Sequence, residues 1–160
     1  MATLPQLNQD DLQRFDAALA EFLSQTSATA VLLIDKGGFL ITRQGDCGDL
    51  DLATIGALAA GAFMASQSIA GLVKEKNFNS TFQQGEKSSM VVMEVDEHCL
   101  LIVIFTDQSG LGIVKYYSAN AASNIARQML VARQRNPAGG FDLSELNIAN
   151  PGELFRQREA

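Results

Sequence analysis

Residues 52–73 read LATIGALAAGAFMASQSIAGLV, and no charged side chain occurs between Asp51 and Lys74. At 3.6 residues per turn, Leu52, Ile55, Leu58, Phe63, Ile69 and Val73 collect on one side of a helix. Ala53, Ala57, Ala60, Gly61, Met64, Gln67, Ser68 and Gly71 collect on the other. The expectation is that the larger side enters a core, so that replacing Leu58 unfolds the domain at a cost of about 2–5 kcal/mol. The smaller side then faces outward. A helix on the surface of a soluble domain fills that face with Lys and Glu. An outward wall of small uncharged residues points to a covering neighbour, because small residues let another backbone approach and lose little entropy on contact.

The segments around this helix read as strands and two further helices. A polar arm (1–9) precedes a helix capped by Asn8 or Asp10, with Leu12, Phe15, Leu19, Phe22 and Leu23 as its apolar stripe. Ala30 to Ile34 is an unbroken apolar run, the mark of a strand covered on both faces. Asp35-Lys36-Gly37-Gly38 turns the chain into a second strand, Phe39 to Gln44. After the uncharged helix, capped by Asp49 or Asp51, come a polar strand (Phe78 to Gln84), a strand from Ser89 to Val95 and the very apolar strand Cys99 to Phe105. The last of these belongs at the sheet centre. A long helix then runs from about Leu111 to Arg135, with Val114, Tyr117, Ala121, Ile125 and Met129 on one face.

The order α-β-β-α-β-β-β-α, with tight turns between most strands, predicts an α/β (α+β) fold of three α/β/α layers around a five-stranded antiparallel sheet. The uncharged helix covers one face and the other two helices cover the opposite face. Residues 10–135 form the domain. Asn136 to Gly140 (NPAGG) is a linker signal, and 136–160 are linker and C-terminal tail.

The 160 residues carry a net charge of −6, which argues against nucleic acid. Arg127, Arg133 and Arg135 complement the dipole at the end of the last helix. The uncharged segment is long enough for a membrane span, but Gly, Ala, Ser, Thr and Gln dilute it and it lies between strands of one sheet, so no integral membrane segment is expected. The acidic N-terminus does not read as a signal peptide. Cys47 and Cys99 read as unpaired thiols of a cytoplasmic protein.

No catalytic set emerges, and no cofactor or metal is expected. His98 sits in an expected turn and reads as solvent-exposed; one imidazole makes no metal site. Gly110-Leu111-Gly112 lacks the third glycine and the βαβ setting of a dinucleotide loop, and reads as a turn into the last helix. What remains is surface. The polar strand, unblunted by proline or lysine, reads as a free sheet edge. Together with the helix it predicts a two-fold homodimer whose sheet continues across Phe78, Asn79, Ser80, Thr81 and Phe82, with the two helices side by side at Ala53 and Gly56.

Several separated blocks resemble one family: VLLIDKGGFLIT (31–42), ALAAGAFMAS (57–66), LVKEKNFNSTFQQGEKSS (72–89) and LIVIFTDQSGLGIVK (101–115). Over roughly residues 10–135 the chain resembles the Roadblock family (the dynein light-chain Roadblock type), and within it the bacterial polarity regulators of the MglB type. The resemblance implies a homodimer, a platform made of both middle helices, and a Ras-like small GTPase of the MglA type in its GTP state as partner. It also implies that the protein is not itself an enzyme. Members of this type stimulate GTP hydrolysis by remodelling the GTPase's switch regions, without inserting an arginine finger. Carried over by position, the GTPase contacts are Ala57, Ala60, Gly61, Met64 and Ser68, with Leu154 and Phe155 of the tail as a further contact. The alternative is a dimerisation scaffold that links other proteins.

Overall fold

The structure is a computed structural model and describes residues 3–135. Its elements are α1 (Gln9–Gln25), β1 (Ala30–Asp35), β2 (Leu40–Gly45), α2 (Leu52–Leu72), β3 (Ser80–Gln84), β4 (Ser89–Glu94), β5 (Cys99–Phe105), a 3-10 turn (Asp107–Ser109) and α3 (Leu111–Arg135). The sheet order is β2-β1-β5-β4-β3, with each described pair antiparallel. β1 and β5, the two unbroken apolar runs, lie inside the sheet. In β5 every residue except Ile104 is buried. β2 and β3 form the edges, as their polar character requires.

Alternation along the strands divides the core in two. Val31, Leu33, Leu101 and Val103 point to one face, where Phe15, Leu19 and Phe22 of α1 and Val114, Ile125 and Met129 of α3 cover them. Leu32, Ile34, Leu100 and Ile102 point to the other face, beneath Leu52, Ala59, Ala60 and Phe63 of α2. The expected three layers are present.

Local signals account for the helix boundaries. Asn8 caps α1 by accepting the Asp11 backbone N–H at 2.9 Å, and Asp11 reciprocates by accepting the Asn8 N–H at 2.9 Å. Asp51 caps α2 through the Thr54 N–H. Gly110 turns the chain into α3 at φ 64°, which a glycine adopts at little cost.

Asp11 and Arg135 do more than cap and complement dipoles. The fully buried Asp11 carboxylate also accepts hydrogen bonds from Gln128 Nε2 at 2.7 Å and from Arg135 Nη1 and Nη2 at 2.9 and 3.1 Å. This fork ties the start of α1 to the end of α3. The Arg135 hydrogen bonds, outweighing the opposing effect of burial, hold the Asp11 carboxyl down at about 2. A value below the ordinary 3.8 stabilises the fold above that pH and ceases to do so as pH falls towards about 2. Asp11→Asn is expected to remove that part of the acid transition and to lose about 1–2 kcal/mol near neutrality, the lower figure reflecting the solvent-open side of Arg135. Melting temperature followed against pH in both proteins checks it.

Candidate functional site

The inner and outer faces of α2 match the expected assignment only in part. The residues turned to the sheet are Leu52, Gly56, Ala59, Ala60, Phe63 and Ala70, a set spaced by threes and fours. Small residues dominate it because α2 lies almost in backbone contact with the β1–β2 turn. A Cβ on Gly56 would stand 2.6 Å from the Gly38 carbonyl oxygen, and one on Gly38 would stand 2.7 Å from the Ala57 Cα. Ala60, expected at the GTPase contact, is 3% exposed and belongs to the core. Gly56, expected at the dimer contact, is spent on the close approach within the subunit. Gly56→Val is expected to push α2 off the turn and destabilise the fold by about 1–3 kcal/mol, the usual cost of overpacking; a urea titration measures it.

Leu52 and Phe63 are buried as expected, but Leu58, Ile69 and Val73, expected beside them in the core, face outward instead. Leu58 is 69% exposed, Ile69 52% and Leu72 84%, so Leu58 is no core residue and its replacement does not empty a core site. With Ala62 and Ala65, these residues form a stripe at i, i+4, i+7, i+11 and i+14, the spacing of a helix–helix seam. Beside it runs a second exposed stripe of Ala53, Ala57, Gly61, Met64 and Ser68. A Cβ on Gly61 would touch nothing within 4 Å. By length and composition α2 could cross a bilayer, and only 28% of its most apolar window is buried within the subunit. Its exposed wall is thus both more apolar and wider than the small-residue stripe alone.

The edge strand lies alongside. β3 begins at Ser80, so Phe78 and Asn79 precede it. The Phe78 backbone is already engaged: its N–H donates to Gln67 Oε1 at 3.0 Å and its carbonyl accepts Gln67 Nε2 at 2.7 Å. The Asn79 carbonyl accepts the Glu94 N–H. Ser80, Thr81 and Phe82 are in the edge strand as expected, and the Phe82 ring stacks on Phe105 with centroids 6.2 Å apart. Between α2 and the β3–β4 hairpin lies a groove of about 710 Å³, lined by Ile55, Leu58, Ala62, Gln83, Gln84 and Met90. The helix stripe, the groove and the open strand edge form one continuous surface.

The rest of the predicted chemistry is placed as follows. His98 is buried, at 6% exposure, and not a surface turn residue. Asp96 holds its turn by accepting the backbone N–H groups of His98 and Cys99 at 2.8 and 2.9 Å, and His98 lines a cavity whose other wall is Ala126, Met129, Leu130 and Arg133 of α3. Cys47 and Cys99 are free and buried, and burial pushes the Cys99 thiol far above its usual range. Among the described residues no group of three or more His, Cys, Asp or Glu could hold a metal ion. Leu154 and Phe155 lie outside the described residues.

The Roadblock/LC7 domain profile matches residues 14–105, more than half of the chain. The chain belongs to the Roadblock/LC7 family. Solved Roadblock structures resemble it over most of its length. An MglB with a tetrameric arrangement is 31% identical with a TM-score of 0.77, covering 82% of this chain and 99% of its own. The gliding protein MglB from Thermus thermophilus is 30% identical with a TM-score of 0.76 and the same coverage. Myxococcus xanthus MglB is 25% identical with a TM-score of 0.74, covering 79% of this chain and 96% of its own. No curated protein matches. As a Roadblock chain of MglB type, this protein has its family's antiparallel sheet, with α2 on one face and α1 and α3 on the other.

Proposed function

We propose that this protein is a cytoplasmic, homodimeric regulator that binds a Ras-like small GTPase of the MglA type in its GTP state and stimulates GTP hydrolysis, serving cell polarity or motility. The chain is not itself the enzyme; the partner supplies the hydrolytic groups. The observation that carries the reading is the uncharged, largely exposed wall of α2, in a chain 30–31% identical to MglB structures.

The wall divides into two parts with different uses. Leu58, Ala62, Ala65, Ile69 and Leu72 read nearly the same in both directions about Ala65. A two-fold axis there sets Leu58 against the second copy's Leu72 and Ala62 against its Ile69, with the alanines allowing close approach. Such self-complementarity is what an isologous interface requires. In the same assembly the open edges at Ser80, Thr81 and Phe82 pair with their copies, and the groove of about 710 Å³ beside β3 receives the second copy's side chains. The stripe of Ala53, Ala57, Gly61, Met64 and Ser68 then flanks the seam on both copies and forms the platform for the GTPase. Ala53 shifts in this reading from the seam to the platform.

Stimulation by such a platform works through placement. A GTPase whose own arginine and glutamine are brought to the γ-phosphate gains rate because charge is set where it develops in the transition state. Single-turnover GTP hydrolysis by the cognate GTPase, with and without this protein, is the test. Acceleration supports the regulator; an unchanged rate with retained binding leaves a Roadblock dimerisation scaffold.

A further inference from the structure

The hydrogen bonding of β3 fixes which of its backbone groups face outward. At the hairpin end the Gly85 N–H donates to the Ser88 carbonyl at 3.0 Å, and at the other end the Glu94 N–H donates to the Asn79 carbonyl at 3.0 Å. With the register of β3 on β4, both ends give the same alternation. Asn79, Thr81 and Gln83 turn their N–H and C=O groups to β4, while Phe78, Ser80, Phe82 and Gln84 turn theirs out of the sheet. The outward series is cut short at one end. Gln67 of α2 donates to the Phe78 carbonyl at 2.7 Å and accepts the Phe78 N–H at 3.0 Å, as a neighbouring strand would. Of this series, Ser80, Phe82 and Gln84 are left to meet another chain.

We propose, on the strength of the homodimer reading above, that Gln67 sets the register of the dimer. β3 pairs antiparallel with its copy about a two-fold axis at Phe82, so that Phe82 faces the second copy's Phe82 and Ser80 faces its Gln84. That register uses all three outward residues, in three pairs that each exchange two hydrogen bonds. A slide of one residue sets outward groups against groups already turned to β4. A slide of two residues centres the axis on Thr81 and sets Ser80 against Phe82 and Gln84 against Phe78. Because Gln67 holds the Phe78 groups, two of those four pairs fail to form. The same axis serves the helices. Ala62 lines a groove with Gln83 and Gln84, and Gln67 reaches Phe78, so α2 passes β3 with Ala65 between those two contacts. Ala65 is the centre of the seam stripe, as Phe82 is the centre of β3. The Phe82 ring, stacked on Phe105 and 38% exposed, then meets its own copy across the strands, with Cα atoms about 5.5 Å apart. The register also matters to the GTPase. Each copy carries one platform stripe, and a two-residue slide moves the second stripe by about 7 Å.

The test uses full-length chains carrying Thr81→Cys or Gln83→Cys; the native Cys47 and Cys99 are buried. In the proposed register Thr81 stands opposite the second copy's Gln83 in a non-hydrogen-bonded pair, where Cα atoms about 4.5 Å apart suit a disulfide. The two chains are refolded together under reducing conditions and then mildly oxidised, and the linked peptides are identified by mass spectrometry. The 81–83 disulfide is expected to exceed the 81–81 product by about tenfold or more, the effect of the two hydrogen bonds that separate the registers. An 81–81 bond as the main product would place the axis at Thr81 and overturn the register. A protein that sediments as a dimer without any such disulfide would leave the β3 edge to a different chain, overturning the pairing but not the dimer. A monomer would overturn both. Gln67→Ala supplies the second readout. With the Phe78 groups freed, the slid register has four pairs against three, so the 81–81 product is expected to overtake the 81–83 product at unchanged dimer mass. A product ratio that Gln67→Ala leaves unchanged would overturn the role of Gln67.

Discussion

Gly61→Arg is expected to return GTP hydrolysis by the partner GTPase to its unassisted rate, while the variant protein keeps its melting temperature and its dimer. Nothing within 4 Å meets a Cβ at this position, so the arginine extends into solvent in the free protein. On the proposed platform it stands among Ala57, Met64 and Ser68, where a flat uncharged surface is needed. Docking would then bury a guanidinium without a partner, and an unpaired buried charge costs several kcal/mol. Groups that complete a GTPase active site are worth about 10³–10⁵ in rate, so the loss should span most of that range. Hydrolysis assays at matched concentrations measure it. A fully active Gly61→Arg would remove this stripe from the contact.

Leu58→Asp combined with Ile69→Asp is expected to convert the protein into folded monomers. Both side chains are more than half exposed within the subunit, so their loss leaves no cavity in the core. At the proposed seam each lies in an apolar contact, repeated by symmetry, so two substitutions per chain bury four carboxylates per dimer. Uncompensated desolvation on that scale exceeds what the seam contributes. Unchanged circular dichroism with a halved sedimentation mass is the expected pair of results. Loss of secondary structure would return Leu58 and Ile69 to the subunit core.

The sheet is legible from composition alone. Two uninterrupted apolar runs, Ala30 to Ile34 and Cys99 to Phe105, can only be covered on both sides, and they occupy the inner positions of the sheet. The phase of α2 is not legible in the same way, because residue size misleads about burial where two backbones come into contact. Gly38 and Gly56 let the helix lie so close that Ala59, Ala60 and Ala70 fill much of its inner face beside Leu52 and Phe63, and Leu58, Ile69 and Leu72 are left outside. The resulting surface is more apolar than the small-residue face alone, which strengthens the case that something covers it. The alternation of Phe78 with Phe82 continues the pattern of the edge strand, yet a side chain from α2, Gln67, takes the Phe78 hydrogen bonds instead. Tertiary contacts of that kind leave no local trace. The same holds for the burial of His98, which shares a cavity with α3 residues some thirty positions later, and for Asp11, which meets Arg135 across 124 positions.

The central claim is that the exposed wall of α2 is an interface, covered first by a second copy of the chain. Sedimentation equilibrium of the purified full-length protein at micromolar concentration tests it most directly. The account predicts a particle of twice the 17.2 kDa chain mass, or a multiple of that dimer. A single species at 17.2 kDa, with Leu58, Ile69 and Leu72 open to solvent, would contradict it.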